Sequence, residues 1–245
     1  MSVVEFDLQK HLLQEHRLNK FAEYIREIVY GGTDGIVTTF AVVAGFAGAN
    51  ADATTIPLLA VVIFGLANLF ADGVSMALGS FLSTRAEIDL YKNEEAKERR
   101  EVDHHVEIEK TESIQILVHR GFTHEQAVKL VEIYATNKPF WIDFMMNYEL
   151  GLTDQSGSNP AIMACVTFVS FVVFGSIPLS PYLIIHNNKS LFLLSCISTF
   201  VALFFLGVLR YRVTRQSLAR SITETLLVGG MAAIVAYLVG LFFRI

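Results

Sequence analysis

An aspartate and a methionine lie one helical turn apart inside a long apolar stretch of this chain. Asp72 and Met76 are spaced i, i+4, so a helix would place the carboxylate and the thioether on one face. An ionisable side chain at membrane depth is costly and faces a cavity or a partner rather than lipid. The pair therefore indicates a cation site inside a membrane, and polar contact between packed helices is the ordinary alternative.

A second group of candidate ligands lies in the polar segment that follows. At about 100° per residue on one continuous helix, four carboxylates fall within roughly 80° of arc, with His105 among them. Like charges on one stripe repel each other unless cations neutralise them. The stripe predicts a cation-binding face, and a solvated acidic surface is the alternative that spacing leaves open. Its members are Glu98, Glu101, Glu109 and Glu112.

Two methionines and a glutamate form a third group further along. Met145 and Met146 precede Glu149 by four and three residues, so either sulfur can flank its carboxylate on a helix. Packing of the sulfurs in an apolar core is the alternative. Carboxylates combined with polarisable sulfur favour a first-row ion such as Fe²⁺ over Ca²⁺ or Mg²⁺, which prefer all-oxygen sites.

The elements that must position these residues are predominantly membrane helices. Apolar residues make up 53% of the 245 residues and fall in runs near the ~20 residues that cross a bilayer. We predict an all-α polytopic membrane protein with a helical metal-binding insert between the second and third spans. The predicted spans are 28–49, 57–82, 161–184, 190–209 and 222–243.

The predicted domain organisation follows from these spans and from the distribution of charge. Of the 19 basic residues, 17 lie before the first span, between residues 85 and 154, or between 210 and 220. Basic loops stay in the cytosol, so the N-terminus and the insert are expected there. The predicted parts are a cytosolic N-terminal segment (1–27), spans one and two (28–84), the insert (85–158) and spans three to five (159–245).

Several function classes find no support in the sequence. The two cysteines, Cys165 and Cys196, fall within predicted spans and read as small apolar side chains rather than a disulfide framework. No phosphate-binding loop, nucleophile elbow or basic-aromatic patch is present, so we expect no catalytic residue, no bound cofactor and no nucleic-acid partner. Glu101 and His104 form one Glu-x-x-His motif. A carboxylate di-iron enzyme needs two such motifs, so this class of enzyme is not expected.

In combination, the motifs resemble the vacuolar iron transporter family. The resemblance covers residues 24–243 in order, five spans and the insert included. It rests on Gly-Gly-Thr-Asp-Gly at 31–35, Ser-Met-Ala at 75–77 with Ser-Thr at 83–84, the glutamate-rich insert, and Met-Met-x-x-Glu-Leu-Gly-Leu at 145–152. It implies a homodimeric antiporter that exports Fe²⁺ from the cytosol in exchange for protons.

The resemblance also implies roles for individual residues. The family's intramembrane pathway uses an aspartate of the first span and a methionine of the second, which map onto Asp34 and Met76. Its cytosolic metal-binding residues map onto the four glutamates, the two methionines and Glu149. A buried aspartate is cheap when neutral and costly when charged, so Asp34 could exchange a proton for a cation. Asp72 could add charge from one turn before Met76.

Alternatives remain open at this point. The same architecture could carry Mn²⁺, Co²⁺ or Zn²⁺, and His104 and His105 could favour zinc. A non-transporting membrane sensor would bind metal through the insert without moving it. In the absence of a long N-terminal extension, we expect a bacterial plasma membrane rather than an organellar one. The expected partners are a second copy of the chain, the lipid bilayer, divalent metal ions and protons.

Overall fold

The computed structural model describes residues 24–49, 58–155, 157–185, 190–214 and 216–242, and over these residues it is helical apart from short turns. No strand occurs in this part of the chain, which confirms the all-α prediction. In chain order the helices are α1 (Ile25–Ala49), α2 (Leu58–His104), α3 (Val106–His119), α4 (His124–Ala135), α5 (Lys138–Tyr148), α6 (Pro160–Ile184), α7 (Leu191–Thr214) and α8 (Leu218–Phe242).

Five of these helices, α1, α2, α6, α7 and α8, are long and apolar enough to cross a membrane. Their number agrees with the five predicted spans. The ends of α1, α6, α7 and α8 differ from the predicted bounds by at most about five residues, whereas α2 continues to His104, well past the predicted end at residue 82. The 47 residues of α2 extend about 70 Å at 1.5 Å per residue, more than twice the thickness of the hydrocarbon layer. Only its apolar first half can lie in lipid. The chain is therefore an integral membrane protein.

The chain divides into two compact units. The membrane unit comprises residues 1–80 and 161–245, and the polar unit comprises residues 81–160. Residues 1–23 lie outside the described part of the chain, so most of the predicted N-terminal segment is not covered.

In the membrane unit, glycines let α1 approach its neighbours at backbone distance. A Cβ added at Gly175 of α6 would lie 2.7 Å from the carbonyl oxygen of Gly35. Gly48 of α1 and Gly240 of α8 meet in the same way, each against the other helix's backbone. Small residues allow this close packing in lipid, where van der Waals contact drives helix association. Gly35 and Gly48 of α1 thus allow close contact with α6 and α8 within the chain.

Pro181 in α6 frees a backbone carbonyl that serine hydroxyls then bind. Pro181 has no N–H, so the carbonyl of Ile177 loses its usual helical donor. The hydroxyl of Ser180 donates to that oxygen at 2.7 Å. The hydroxyl of Ser198 on α7 lies between the Ser195 carbonyl at 3.0 Å and the Ile177 carbonyl at 3.3 Å. Ser195, fully buried on α7, donates to the Pro178 carbonyl at 2.6 Å. These bonds join α6 to α7.

The polar unit is a small helical bundle with well-defined helix ends. A capping box at Thr123 and Gln126 begins α4, and Asn137 caps the start of α5. Gly121 follows the end of α3 with φ 101°, a conformation that glycine adopts without strain. The core is centred on Trp141, Met145 and Met146 and is completed by residues of α2, α3 and α4.

The single continuous helix assumed for the glutamate stripe is wrong. The helix breaks at His105, whose backbone adopts φ −127° and ψ 35° between α2 and α3. Glu98 and Glu101 therefore belong to the last turns of α2, whereas Glu109 and Glu112 belong to the first turns of α3. Neither glycine nor proline marks the break in the sequence, which explains why periodicity missed it.

Candidate metal centre

The break at His105 brings together carboxylates that a straight helix would separate. Eleven residues of continuous helix would place Glu98 and Glu109 about 16 Å apart along the axis. Instead, carboxylate oxygens of Glu98, Glu109 and Glu149 all lie within 4.8 Å of one another. We call these three residues the carboxylate cluster. The chain must fold back sharply after α2 for this to occur.

The third member of the cluster arrives on an antiparallel helix. Glu149 caps the C-terminus of α5, and its carboxylate meets Glu109 of α3. One turn further along both helices, the Ser113 hydroxyl of α3 contacts the Met145 sulfur of α5. From Glu109 to Ser113 along α3, the contacting residue on α5 changes from Glu149 back to Met145. The helices α3 and α5 therefore run in opposite directions. Two successive turns of this helix pair therefore carry all of these polar groups.

Burial and mutual repulsion make the cluster an unstable arrangement of three negative charges. Glu98 is 4% exposed, and its Oε1 has no hydrogen-bond partner among the described residues. Burial, followed by the charges of Glu109 and Glu149, raises the pKa of Glu98 to about 8. Burial also raises the pKa of Glu109, while a hydrogen bond with Glu98 acts in the opposite direction. At neutral pH the cluster retains a proton that a cation could replace.

Glu149 connects the cluster to the other two glutamates of the stripe. Burial raises the pKa of Glu149, and the charges of Glu112 and Glu101 add to the effect. Glu101 is half-buried and lies 4.0 Å from the Lys97 ammonium. Glu112 lines a cavity of about 330 Å³ together with Glu149, His119 and Arg120. All five predicted glutamates of the insert thus act on one another electrostatically.

The spacing of the cluster suits a first-row metal ion. Two carboxylate oxygens bound to one such ion at about 2.0–2.2 Å lie at most ~4.4 Å apart. The observed limit of 4.8 Å therefore requires only a small side-chain adjustment. Three carboxylates supply hard oxygen ligands and more than enough charge to balance a divalent cation.

Both methionines of the insert lie in its core. Met145 and Met146 are 0% exposed. The sulfur of Met145 accepts a hydrogen bond from the Ser113 hydroxyl at 3.1 Å, and the indole N–H of Trp141 donates to Ser113 at 2.7 Å. Core packing and metal ligation are thus not exclusive, because Met145 is also one turn from Glu149. Their role as ligands stays a prediction.

In the membrane unit, the structure places Asp34 and Asp72 near one another. Both side chains are half-buried, and the charge of Asp72 acts on Asp34. The fully buried ring of Phe171 on α6 packs close to Gly73, and its backbone carbonyl closely approaches Gly35. Each of these glycines directly follows one of the aspartates. Met76, one turn after Asp72, is also half-buried. The role of these three residues as ligands also stays a prediction.

Sequence reasoning missed Ser113 altogether. Its hydroxyl is fully buried between Trp141 and Met145, both of which lie on α5. The signal available was its i, i+4 spacing from Glu109, which places it one turn further on the same face. A single serine carries too little information for such an inference before the partner helix is known.

Comparisons with known proteins agree with the architecture. The sequence model of the VIT family matches residues 25–241. The vacuolar iron transporter of Plasmodium berghei (strain Anka) is 34% identical over 97% of this chain and 88% of its own length. Vacuolar iron transporter 2 of Oryza sativa subsp. japonica is 32% identical over 96% of this chain and 94% of its own. Vacuolar iron transporter 1 of Arabidopsis thaliana is 31% identical over 96% and 93%. This chain belongs to the VIT family.

Proposed function

We propose that this protein transports a divalent transition metal ion, Fe²⁺ first of all, out of the cytosol in exchange for protons. The observation that carries the proposal is the carboxylate cluster of Glu98, Glu109 and Glu149, which is buried in part and whose carboxylate oxygens lie within 4.8 Å of one another. The raised pKa of Glu98 supports the exchange of a proton for a cation there. Relatives named vacuolar iron transporter over nearly the whole chain support iron as the cargo.

Metal capture on the cytosolic side is the first step. A cation entering the carboxylate cluster turns repulsion among carboxylates into attraction and displaces the proton of Glu98. Glu101 and Glu112 raise the local concentration of cations by their charge. Met145 and Met146 supply soft ligands that favour a transition metal over Ca²⁺ or Mg²⁺.

The membrane step uses Asp34, Asp72 and Met76. A carboxylate in a low-dielectric surrounding is stable either as the neutral acid or as the partner of a cation. When Asp34 passes from the first state to the second, it releases one proton and its carboxylate balances part of the charge of the bound cation. Asp72 supplies a second negative charge and Met76 a soft ligand, so that the site can compensate a divalent ion.

The proposal includes a homodimer in a bacterial plasma membrane with the insert in the cytosol. A groove of about 650 Å³ on the membrane unit is lined by Ala41, Gly45, Asn68 and other mainly apolar residues of α1, α2 and α8. Small and apolar residues of this kind support close contact with helices of a second copy. Arg210 and Arg220, both ion-paired with Glu224, support a cytosolic α7–α8 turn.

Flux into proteoliposomes tests the function. Purified protein is reconstituted in sealed vesicles, and uptake of Fe²⁺ kept reduced is measured with and without a pH gradient. We expect uptake to rise when protons can leave the vesicle in exchange for metal, and Asp34→Asn to abolish it. Metal binding without any uptake by correctly assembled protein would favour a sensor instead, and parallel measurements with Mn²⁺, Co²⁺ and Zn²⁺ rank the cargo.

A further inference from the structure

A buried chain of hydrogen bonds leads from the indole of Trp141 through Ser113 to the sulfur of Met145. Trp141 is 1% exposed, and Ser113 and Met145 are 0% exposed. The N···O distance from Trp141 Nε1 to Ser113 Oγ is 2.7 Å, and the O···S distance from Ser113 Oγ to Met145 Sδ is 3.1 Å. Water is excluded from all three groups, so each depends on the others for its hydrogen bonds.

The direction of this chain is fixed by chemistry. An indole N–H can only donate, so the Ser113 oxygen must accept from Trp141. The hydroxyl then has one proton left to donate, and the acceptor that the structure gives it is the thioether of Met145. A thioether sulfur is a weak acceptor with two lone pairs, of which Ser113 occupies one.

The position of this bond relates it to the carboxylate cluster. Ser113 follows Glu109 by one turn on α3, and Met145 precedes Glu149 by one turn on α5. The contact between hydroxyl and sulfur is therefore the next turn of the helix pair after the carboxylates, about 6 Å away. A methionine at this position can bind a metal held by the carboxylates only with the lone pair that Ser113 leaves free.

We propose that Ser113 is a positioning residue that sets the metal preference of the insert by hydrogen-bonding the sulfur of Met145. The inference rests on the proposed function in taking the insert as a metal site. The hydroxyl draws electron density from the sulfur and holds its orientation, so the thioether is a poorer ligand for soft ions. Hard ions, which bind through the carboxylates, are not affected. Ser113 thereby disfavours soft competitors of the cargo.

The test compares a soft and a hard probe ion on the full-length protein in detergent. Affinities for Cd²⁺ and Mn²⁺ are measured by calorimetry for the wild type, Ser113→Ala and Ser113→Thr. We expect Ser113→Ala to raise the ratio of Cd²⁺ to Mn²⁺ affinity about fivefold, the factor that corresponds to one hydrogen bond of ordinary net strength. Ser113→Thr retains the hydroxyl and should restore the wild-type ratio.

A methionine variant separates this effect from general loosening of the core. In a Met145→Leu background, which keeps the volume but lacks sulfur, Ser113→Ala should leave the ratio unchanged. Trp141 is the single tryptophan of the chain, so its emission reports the bond directly. We expect the emission maximum to shift in Ser113→Ala and to return in Ser113→Thr.

Other outcomes overturn the inference. A folded Ser113→Ala protein with the wild-type ratio would contradict it, as would an equal change in the Met145→Leu background. If Ser113→Ala does not fold, Trp141→Phe serves instead, because losing the indole donor weakens the polarisation of Ser113 and should raise the ratio by a smaller factor. An unchanged ratio there also overturns it. Since Mn²⁺ binding and Fe²⁺ flux depend on the carboxylates, they would persist in that case and leave the proposed function standing.

Discussion

The proton held by Glu98 should make metal binding depend steeply on pH. With its pKa raised to about 8, this carboxyl is about nine-tenths protonated at pH 7. A cation that binds the carboxylate cluster must displace that proton, so binding at pH 7 should release about 0.9 proton from this residue. The apparent affinity should fall about fivefold from pH 8 to pH 7 and about 50-fold from pH 8 to pH 6, because the deprotonated fraction of Glu98 falls by these factors.

Calorimetry measures the released protons. Co²⁺ is titrated into the full-length protein in two buffers with different ionisation enthalpies, at pH 6, 7 and 8. Glu98→Gln keeps the size of the side chain but has no proton to release, so it should lower the count at pH 7 by about 0.9. Glu132→Gln, at an exposed glutamate of α4, is the matched control and should release as many protons as the wild type. An equal count in wild type and Glu98→Gln would refute the reasoning.

The same pKa predicts how the metal-free protein responds to pH. The folded pKa of Glu98 is raised above its usual value of 4.5, so its contribution to stability is fully present below about pH 4.5. That contribution is lost as the pH rises through about 8, with an order of magnitude of a few kcal/mol. Thermal unfolding followed by circular dichroism should show this loss in wild type, less of it in Glu98→Gln, and recovery when Co²⁺ is added at pH 8.

Two further predictions concern the other candidate ligands. Asp34→Asn should abolish Fe²⁺ flux in sealed vesicles without loss of folded protein, because the amide keeps the size of the side chain and removes its titratable charge. Met76→Leu, which keeps the volume, should retain measurable flux. Wild-type flux in Asp34→Asn would mean that this aspartate has a structural role. Replacing Met145, Met146 and Glu149 together by Ala should weaken the apparent affinity for metal and leave flux at saturating metal. A folded but inactive triple variant would mean that the insert is indispensable.

The membrane architecture was predictable because lipid imposes a strong constraint on sequence. A span needs about 20 apolar residues, so the number of membrane helices and their order along the chain could be predicted without any partner known. The span predicted from residue 222 begins at Leu218, because one polar turn of α8 extends beyond the apolar stretch. Hydropathy does not detect such a turn.

The site was predictable in residue type but not in geometry. Repulsion among glutamates indicated a cation site, yet the single stripe was an artefact of assuming one helix through His105. The contact of Glu98 with Glu149 depends on three changes of direction in the chain, at the junctions between α2, α3, α4 and α5, and only tertiary packing specifies them. The same holds for Ser113, whose importance comes from Trp141 and Met145 on another helix.

The serines around the α6 prolines also bear on how the protein enters the membrane. Each unpaired carbonyl costs several kcal/mol in hydrocarbon, so a helix with a proline needs a donor at the moment it leaves the translocon. The Ser180 hydroxyl donates a hydrogen bond to the Ile177 carbonyl within α6 itself, so this bond can form before α7 has been synthesised. We therefore expect α6 to insert on its own, with α7 adding its bonds afterwards, and Ser180→Ala to lower the insertion efficiency of α6 in a glycosylation-reporter assay. Undiminished insertion of the variant would show that lipid tolerates the bare carbonyl.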